Sequence, residues 1–316
     1  MSSLSPSSPI IHLQASRSSL NYHPLLAMAP TTFQLIKLNS STSGTSFVET
    51  ARKLPASERP FYLGQCQHWI RAPHLSADAL TGKGDTVQHW DYLMVTKAST
   101  SDSNSVPADL ASSIEQAWSI TAGVDDQQLA SLPETKSQRA AASSPPLPHG
   151  WSPQDHSGLD AAEVPTDLEA SLKLSSYPLG SKKESSSKPV ILQNWVAEFG
   201  SRHPGPVDMF NLLSYLPDGR PQYFQFVAAF MESVGSKYGG EPVFLGAGGI
   251  DGWSSKANEK PEAGAEWADT ALIHYPSIWH FAKMLDDPAY ADVDRKFKQG
   301  AIRDNPLICC TEIDLK

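Results

Sequence analysis

Val207-Asp208-Met209-Phe210-Asn211-Leu212-Leu213-Ser214-Tyr215-Leu216 reads as a strand, closed by the turn Pro217-Asp218-Gly219-Arg220. Working outward from it, Tyr223, Phe226, Val227, Phe230 and Val234 recur at helical spacing, and Gly235 to Gly240 ends that helix. Pro242-Val243-Phe244-Leu245-Gly246 and Thr270-Ala271-Leu272-Ile273-His274-Tyr275 are two further strands, separated by a Gly-, Lys- and Glu-rich excursion over 247–266. Pro276-Ser277 opens a helix carrying Ile278, Phe281 and Leu285, and Leu307 to Ile313 is the last strand. The order is βαββαβ, the ferredoxin-like unit. A helix from Val190 to Phe199 precedes it.

The first half repeats much of this grammar. Phe33–Leu38 reads as a strand, Ser46–Leu54 as a helix, Pro60 to Ile70 as a strand and Val87–Val95 as another. Leu110, Ile114, Ala117, Trp118 and Ile120 suit a helix, and no closing strand is evident. The expected fold is therefore α+β: two tandem ferredoxin-like units that pair into a pseudo-dimer of the dimeric α/β-barrel type. Each unit covers one sheet face with helices and leaves the other face for its partner.

The chain has 316 residues, 25 Pro and a net charge of −9. Proline is placed mainly at element ends and in linkers, which divides the chain into a disordered leader over 1–29, a degenerate unit over 30–133, a Pro/Ser-rich strap over 134–189 and a second unit over 190–316. Within the strap, 164–172 has the look of a capped helix start. The acidic balance argues against nucleic acid as a partner. No apolar run approaches the roughly 18 residues a membrane span needs. Cys66, Cys309 and Cys310 cannot frame a disulfide fold and read as structural thiols of a reducing compartment, the cytoplasm. The stretch 1–48 lacks any Asp or Glu, which leaves mitochondrial targeting as the alternative.

Lys237-Tyr238-Gly239-Gly240, His274-Tyr275-Pro276-Ser277, Asp286-Asp287-Pro288-Ala289-Tyr290 and Arg295 together resemble the small DUF1330 family. The resemblance covers about residues 205–315, and the whole chain resembles two-domain proteins of filamentous fungi. It implies a dimeric α/β-barrel fold, a homodimer as one arrangement, and a site near Tyr290 and Arg295 at a cleft mouth. The wider superfamily implied includes cofactor-free monooxygenases, lactone isomerases, polyketide cyclases and haem proteins.

Several residues carry candidate chemistry. His274, at a strand end beside the helix-capping Ser277, is the expected base, with Tyr290 or Tyr215 as hydrogen-bond donor and Arg295 to hold an anionic group. Tyr215, Tyr275 and Ser277 are candidate substrate contacts in the second half, and His68, His89 and Asp91 in the first. Cys66, His68 and Ile70 are expected on one strand face, with His68 and His89 as cross-strand partners. Gly246-Ala247-Gly248-Gly249 follows a strand but opens no helix, so it is no dinucleotide loop. No Cys/His cluster has zinc spacing, and no metal or cofactor is expected. The function read from these residues is proton-transfer chemistry, as in an isomerase, cyclase, lactone enzyme or cofactor-free monooxygenase, on a small apolar or aromatic ligand. The alternatives are a non-catalytic ligand-binding or assembly module and a haem barrel in which the helical His280 would hold iron.

Overall fold

The computed structural model describes residues 28–75, 77–81, 89–98, 106–142, 145–154, 192–248 and 267–316. Residues 1–27 of the leader, the helix start at 164–172, the loop 249–266 and Val87-Gln88 lie outside the described residues. The first half runs β1 (Met28–Leu38), α1 (Gly44–Lys53), β2 (Tyr62–Arg71), α2 (Ala77–Leu80), β3 (Tyr92–Lys97), α3 (Ala108–Ala111), β4 (Ile114–Asp125) and α4 (Asp126–Ala141). The second runs α5 (Leu192–Arg202), β5 (Val207–Tyr215), α6 (Gly219–Phe230), β6 (Glu241–Ala247), β7 (Asp269–Tyr275), α7 (Ile278–Asp286), α8 (Pro288–Val293), β8 (Ile302–Asp304) and β9 (Leu307–Glu312).

The strands lie in the order β7-β6-β4-β1-β3-β2-β9-β5, and β5 pairs back onto β7, so eight antiparallel strands close into a barrel with β8 attached to the end of β5. The protein is thus α+β with a closed antiparallel barrel. Closure gives every strand of the ring a neighbour on both sides. The two junctions between the halves differ in length. At one, β2 meets β9 from Gly64↔Glu312 to Arg71↔Leu307. At the other, β4 meets β6 only at Gly123↔Ala247 and Val124↔Gly246.

Helix α4 takes over where β4 stops. Asp125 caps it by accepting the Gln127 N–H at 2.8 Å. Gln128 Oε1 then accepts the Leu245 N–H of β6 at 3.2 Å, and Arg139 reaches Glu241 and the Pro242 carbonyl. Lys136 crosses to the Phe61 carbonyl and Glu312, while Leu129 and Leu132 pack into the barrel. The helix is a stopper across one barrel mouth. It contains Pro133, at the cost of one helical hydrogen bond, and the expected boundary at 133 falls inside it.

Period-2 alternation builds the barrel wall. Phe33, Leu35, Tyr62, Leu93, Val95, Phe210, Leu212, Phe244, Leu272 and Ile308 fill the interior. Phe33 stacks on Phe210 at 5.8 Å and meets Phe244 edge-on at 6.1 Å. Outside, α1 and α3 cover the first half through Phe47 and Leu110, and α5 to α8 cover the second through Val196, Phe226, Trp279 and Tyr290.

Two expectations are corrected here. The stretch around Ile114–Ile120 is a strand rather than a helix, and it is the closing strand of the first half. Trp118, Ile120, Ala122 and Val124 alternate toward the barrel interior, and pairing with β1 along the whole of Met28–Leu38 satisfies one edge of its backbone. Cys66 and Ile70 do not share a face. A bulge after Cys66 breaks the alternation, leaving Cys66 against the barrel interior and Ile70 in the outer layer.

Candidate functional site

The mouth opposite α4 holds a cleft of about 440 Å³. Its walls are Asn39 and Thr42 after β1, Cys66, His68 and Trp69 of β2, and His89, Trp90 and Asp91 leading into β3. The β2 bulge sets this arrangement, turning His68 outward while Trp69 and Cys66 stay with the interior cluster. Strand β3 begins at Tyr92, so His89 sits on the connecting segment and is not a cross-strand partner of His68. The segment is pinned by the Asp91 N–H on the Ile36 carbonyl at 2.8 Å and by the Trp90 indole N–H on the Leu80 carbonyl at 2.7 Å.

His68 is held from the second half. Its ring stacks on Trp195 of α5 at 4.7 Å, and Trp195 stacks on Phe199 at 4.8 Å, which meets His203 at 5.2 Å. Burial, and then the proximity of His89, push the His68 pKa below its ordinary value, so the imidazole is neutral near pH 7. Asp91 accepts the Leu38 N–H at 2.7 Å through one oxygen. The three first-half residues singled out by sequence therefore line one cleft. Asn39, Trp69 and Trp90 join them, and only contacts between distant segments place those three there.

The second-half candidates separate. His274 faces the barrel interior: its Nδ1–H donates to Asp208 Oδ1 at 3.0 Å, and Asp208 Oδ2 accepts the Tyr62 hydroxyl at 2.8 Å. Asp208 and His274 are register partners on β5 and β7. The Tyr62 ring reaches them by lying across Gly64, where any Cβ would collide with it. Burial first, then the Asp208 charge, raise the Tyr62 pKa, so the phenol stays a donor. Tyr62 and Asp208 carried no sequence signal of their own, being 146 residues apart.

Tyr290 and Tyr275 lie in the outer layer, on the other side of the sheet from His274. Tyr290 packs edge-on against Phe226 and Phe230 at 6.5 and 6.1 Å, and Tyr275 against Phe281 at 5.3 Å. Tyr215 donates to Asp269 at 2.7 Å, beside the Arg220–Asp269 ion pair. Arg295 is exposed and pairs with Asp292 at 3.1 Å. His274, Tyr290 and Arg295 thus do not share a site. Ser277 caps α7, and His280 Nδ1 lies 2.8 Å from its hydroxyl.

The motif residues quoted above instead meet as a structural clamp. Asp287 caps α8 through the Ala289 N–H and also receives Lys237 Nζ at 2.7 Å and the Tyr238 hydroxyl at 2.8 Å. Gly239 has φ 71°, and a Cβ there would meet Pro276 at 2.7 Å. Among the described residues no group of His, Cys, Asp and Glu is arranged to hold a metal, and no helix is long and apolar enough to cross a membrane. His280 is buried, with Nδ1 engaged by Ser277, and burial lowers its pKa against the pull of the Pro146 carbonyl.

No family model matches the chain, and no curated protein matches it. Four solved chains are similar to it. A protein of unknown function from Rhodopseudomonas palustris is 25% identical over 37% of this chain and 91% of its own, with a TM-score of 0.30. Its methylated form is 26% identical over 35% and 82%, with a TM-score of 0.26. A candidate chlorite dismutase, TA0507, is 9% identical over 92% and 96%, with a TM-score of 0.41.

Proposed function

We propose that the protein binds a small aromatic or apolar molecule in the His68–His89 cleft and moves a proton on it without a cofactor. The observation that carries this reading is the pair of neighbouring imidazoles in a cleft walled by Trp69 and Trp90. A neutral His68 takes the proton and passes it to the neighbouring His89, which delivers it to a second ligand atom, and the indoles bind the ligand face by stacking. Asp91 bears the negative charge that stabilises the imidazolium. His274, enclosed with Asp208 and Tyr62, organises the barrel in this reading. Tyr290 and Tyr275 brace the helical layer, and Tyr215, Ser277 and Arg295 complete local pairs.

The same reading takes the barrel as a fused pseudo-dimer. The order β4-β1-β3-β2 in one half and β9-β5-β7-β6 in the other is the same ferredoxin-like order, and this supports a tandem origin. A second reading, a ligand-binding module without catalysis, is favoured by the aromatic filling of the barrel interior. Deuterium incorporation into an aryl β-diketone in heavy water, followed by proton NMR, separates the two. Catalysed exchange lost in both His68→Gln and His89→Gln supports proton transfer. Binding of the diketone with no exchange above buffer refutes it and leaves the binding module.

A further inference from the structure

The cleft floor holds a thiol with a second thiol directly behind it. Cys66 of β2 lines the cleft, and Cys310 of β9, fully buried, places its Sγ 3.9 Å from the Cys66 Sγ. The two residues are direct register partners across the longer junction between the halves. The Cys66 N–H donates to the Asp91 carbonyl at 2.9 Å, on the β3 side. Its backbone groups therefore point away from β9, and Cys66–Cys310 is a non-hydrogen-bonded antiparallel pair. In such pairs the Cα atoms lie about 4.5 Å apart with the side chains close together, inside the span a disulfide bridges. The bulge beginning at the next residue of β2 gives that strand room to adjust. Cys309 points to the opposite face, into the outer layer, and takes no part.

We propose that Cys66 and Cys310 are a redox couple: a peroxide entering the cleft oxidises Cys66, and Cys310 resolves it to a cross-strand disulfide that joins the two halves. Cys66 loses its proton to cleft water, and the thiolate sulfur attacks one oxygen of hydrogen peroxide. The O–O bond breaks, the hydroxide that leaves takes up the proton as water, and Cys66 becomes a sulfenic acid. The Cys310 sulfur then attacks the sulfenic sulfur. The S–S bond forms, the S–O bond breaks, and the leaving hydroxide departs with the Cys310 proton as a second water. Two thiols have lost two electrons, and the peroxide has gained them. A dithiol reductant reverses the step by exchange at the cleft-facing sulfur. Burial holds the Cys310 thiol protonated in the resting protein, which confines its reaction to the resolving step.

The test requires no ligand and is independent of the proton-transfer reading. The full chain is treated with stoichiometric hydrogen peroxide, quenched in acid, digested without reduction and mapped by mass spectrometry. The expected product is a peptide pair joined through Cys66 and Cys310, two hydrogens lighter than the reduced pair and separable by dithiothreitol. Cys309→Ser is expected to give the same link. Cys310→Ser is expected to stop at a Cys66 sulfenic acid that dimedone traps. A wild-type map showing Cys66 carried to sulfinic acid with no link, or Cys66 joined to Cys309, overturns the proposal.

Discussion

Replacing Tyr62 by Phe isolates one oxygen atom. The phenol hydroxyl donates to Asp208 at 2.8 Å in a site where Tyr62 and Asp208 are 0% and 2% exposed. The change leaves the ring across Gly64 and creates no cavity. It removes a hydrogen bond to a charged acceptor, for which about 1.5–3 kcal/mol is typical. Asp208 keeps the His274 bond at 3.0 Å on its other oxygen, so the lower half of that range is expected, about 2 kcal/mol. Urea denaturation followed by tryptophan fluorescence reads this as a lower midpoint with an unchanged slope. At roughly 2–4 °C per kcal/mol for a domain of this size, the melting temperature should fall by about 4–8 °C. Pairing Tyr62→Phe with Asp208→Asn in a double-mutant cycle should give a coupling of at least about 1 kcal/mol, because the two groups touch. A loss under about 0.5 kcal/mol, or additive changes, would refute the view that this network holds the two halves of the barrel together.

Two further expectations follow from buried groups. Lys298 is 5% exposed, and burial, followed by Arg71, pushes its pKa down to about 7 against the opposing charge of Asp294. The unfolded chain then binds more protons between pH 7 and about 10.5, so this lysine makes stability rise with pH across that window. The stability of wild type relative to Lys298→Met should grow by several kcal/mol, at most about 5, between pH 7 and 10, as measured by denaturation at each pH; a flat difference contradicts the buried placement. Leu132→Ala on α4 should cost about 2–4 kcal/mol if that helix stoppers the barrel, and about zero by the same assay if it lies free on the surface.

Most of the second half was legible because its longer elements advertise themselves locally. The β5, β7 and β9 patterns alternate or run apolar between clear turns, and Ser277 marks a helix start that the structure uses as a cap. The stretch after Leu110 misled because Leu110, Ile114, Ala117 and Trp118 also fit a helical stripe. Only the β1 strand opposite it decides between the two periods. The expected α4 region, read as the start of a linker, is helical because a barrel mouth needs covering and Asp125 is there to cap the cover.

Sequence alone determined the α+β class and which residues are able to titrate or stack. These are properties of a residue and its near neighbours. The tertiary structure decided which of those residues meet. His68, His89 and Asp91 came into one cleft; His274 went inside the barrel to Asp208 and Tyr62; Tyr290 went to the other side of the sheet; Cys66 came to face Cys310 across 244 positions. The physical reason is that a one-residue bulge flips every later side chain to the other face, and that strand partners far apart in the chain are chosen by barrel closure. Neither leaves a mark in the local pattern.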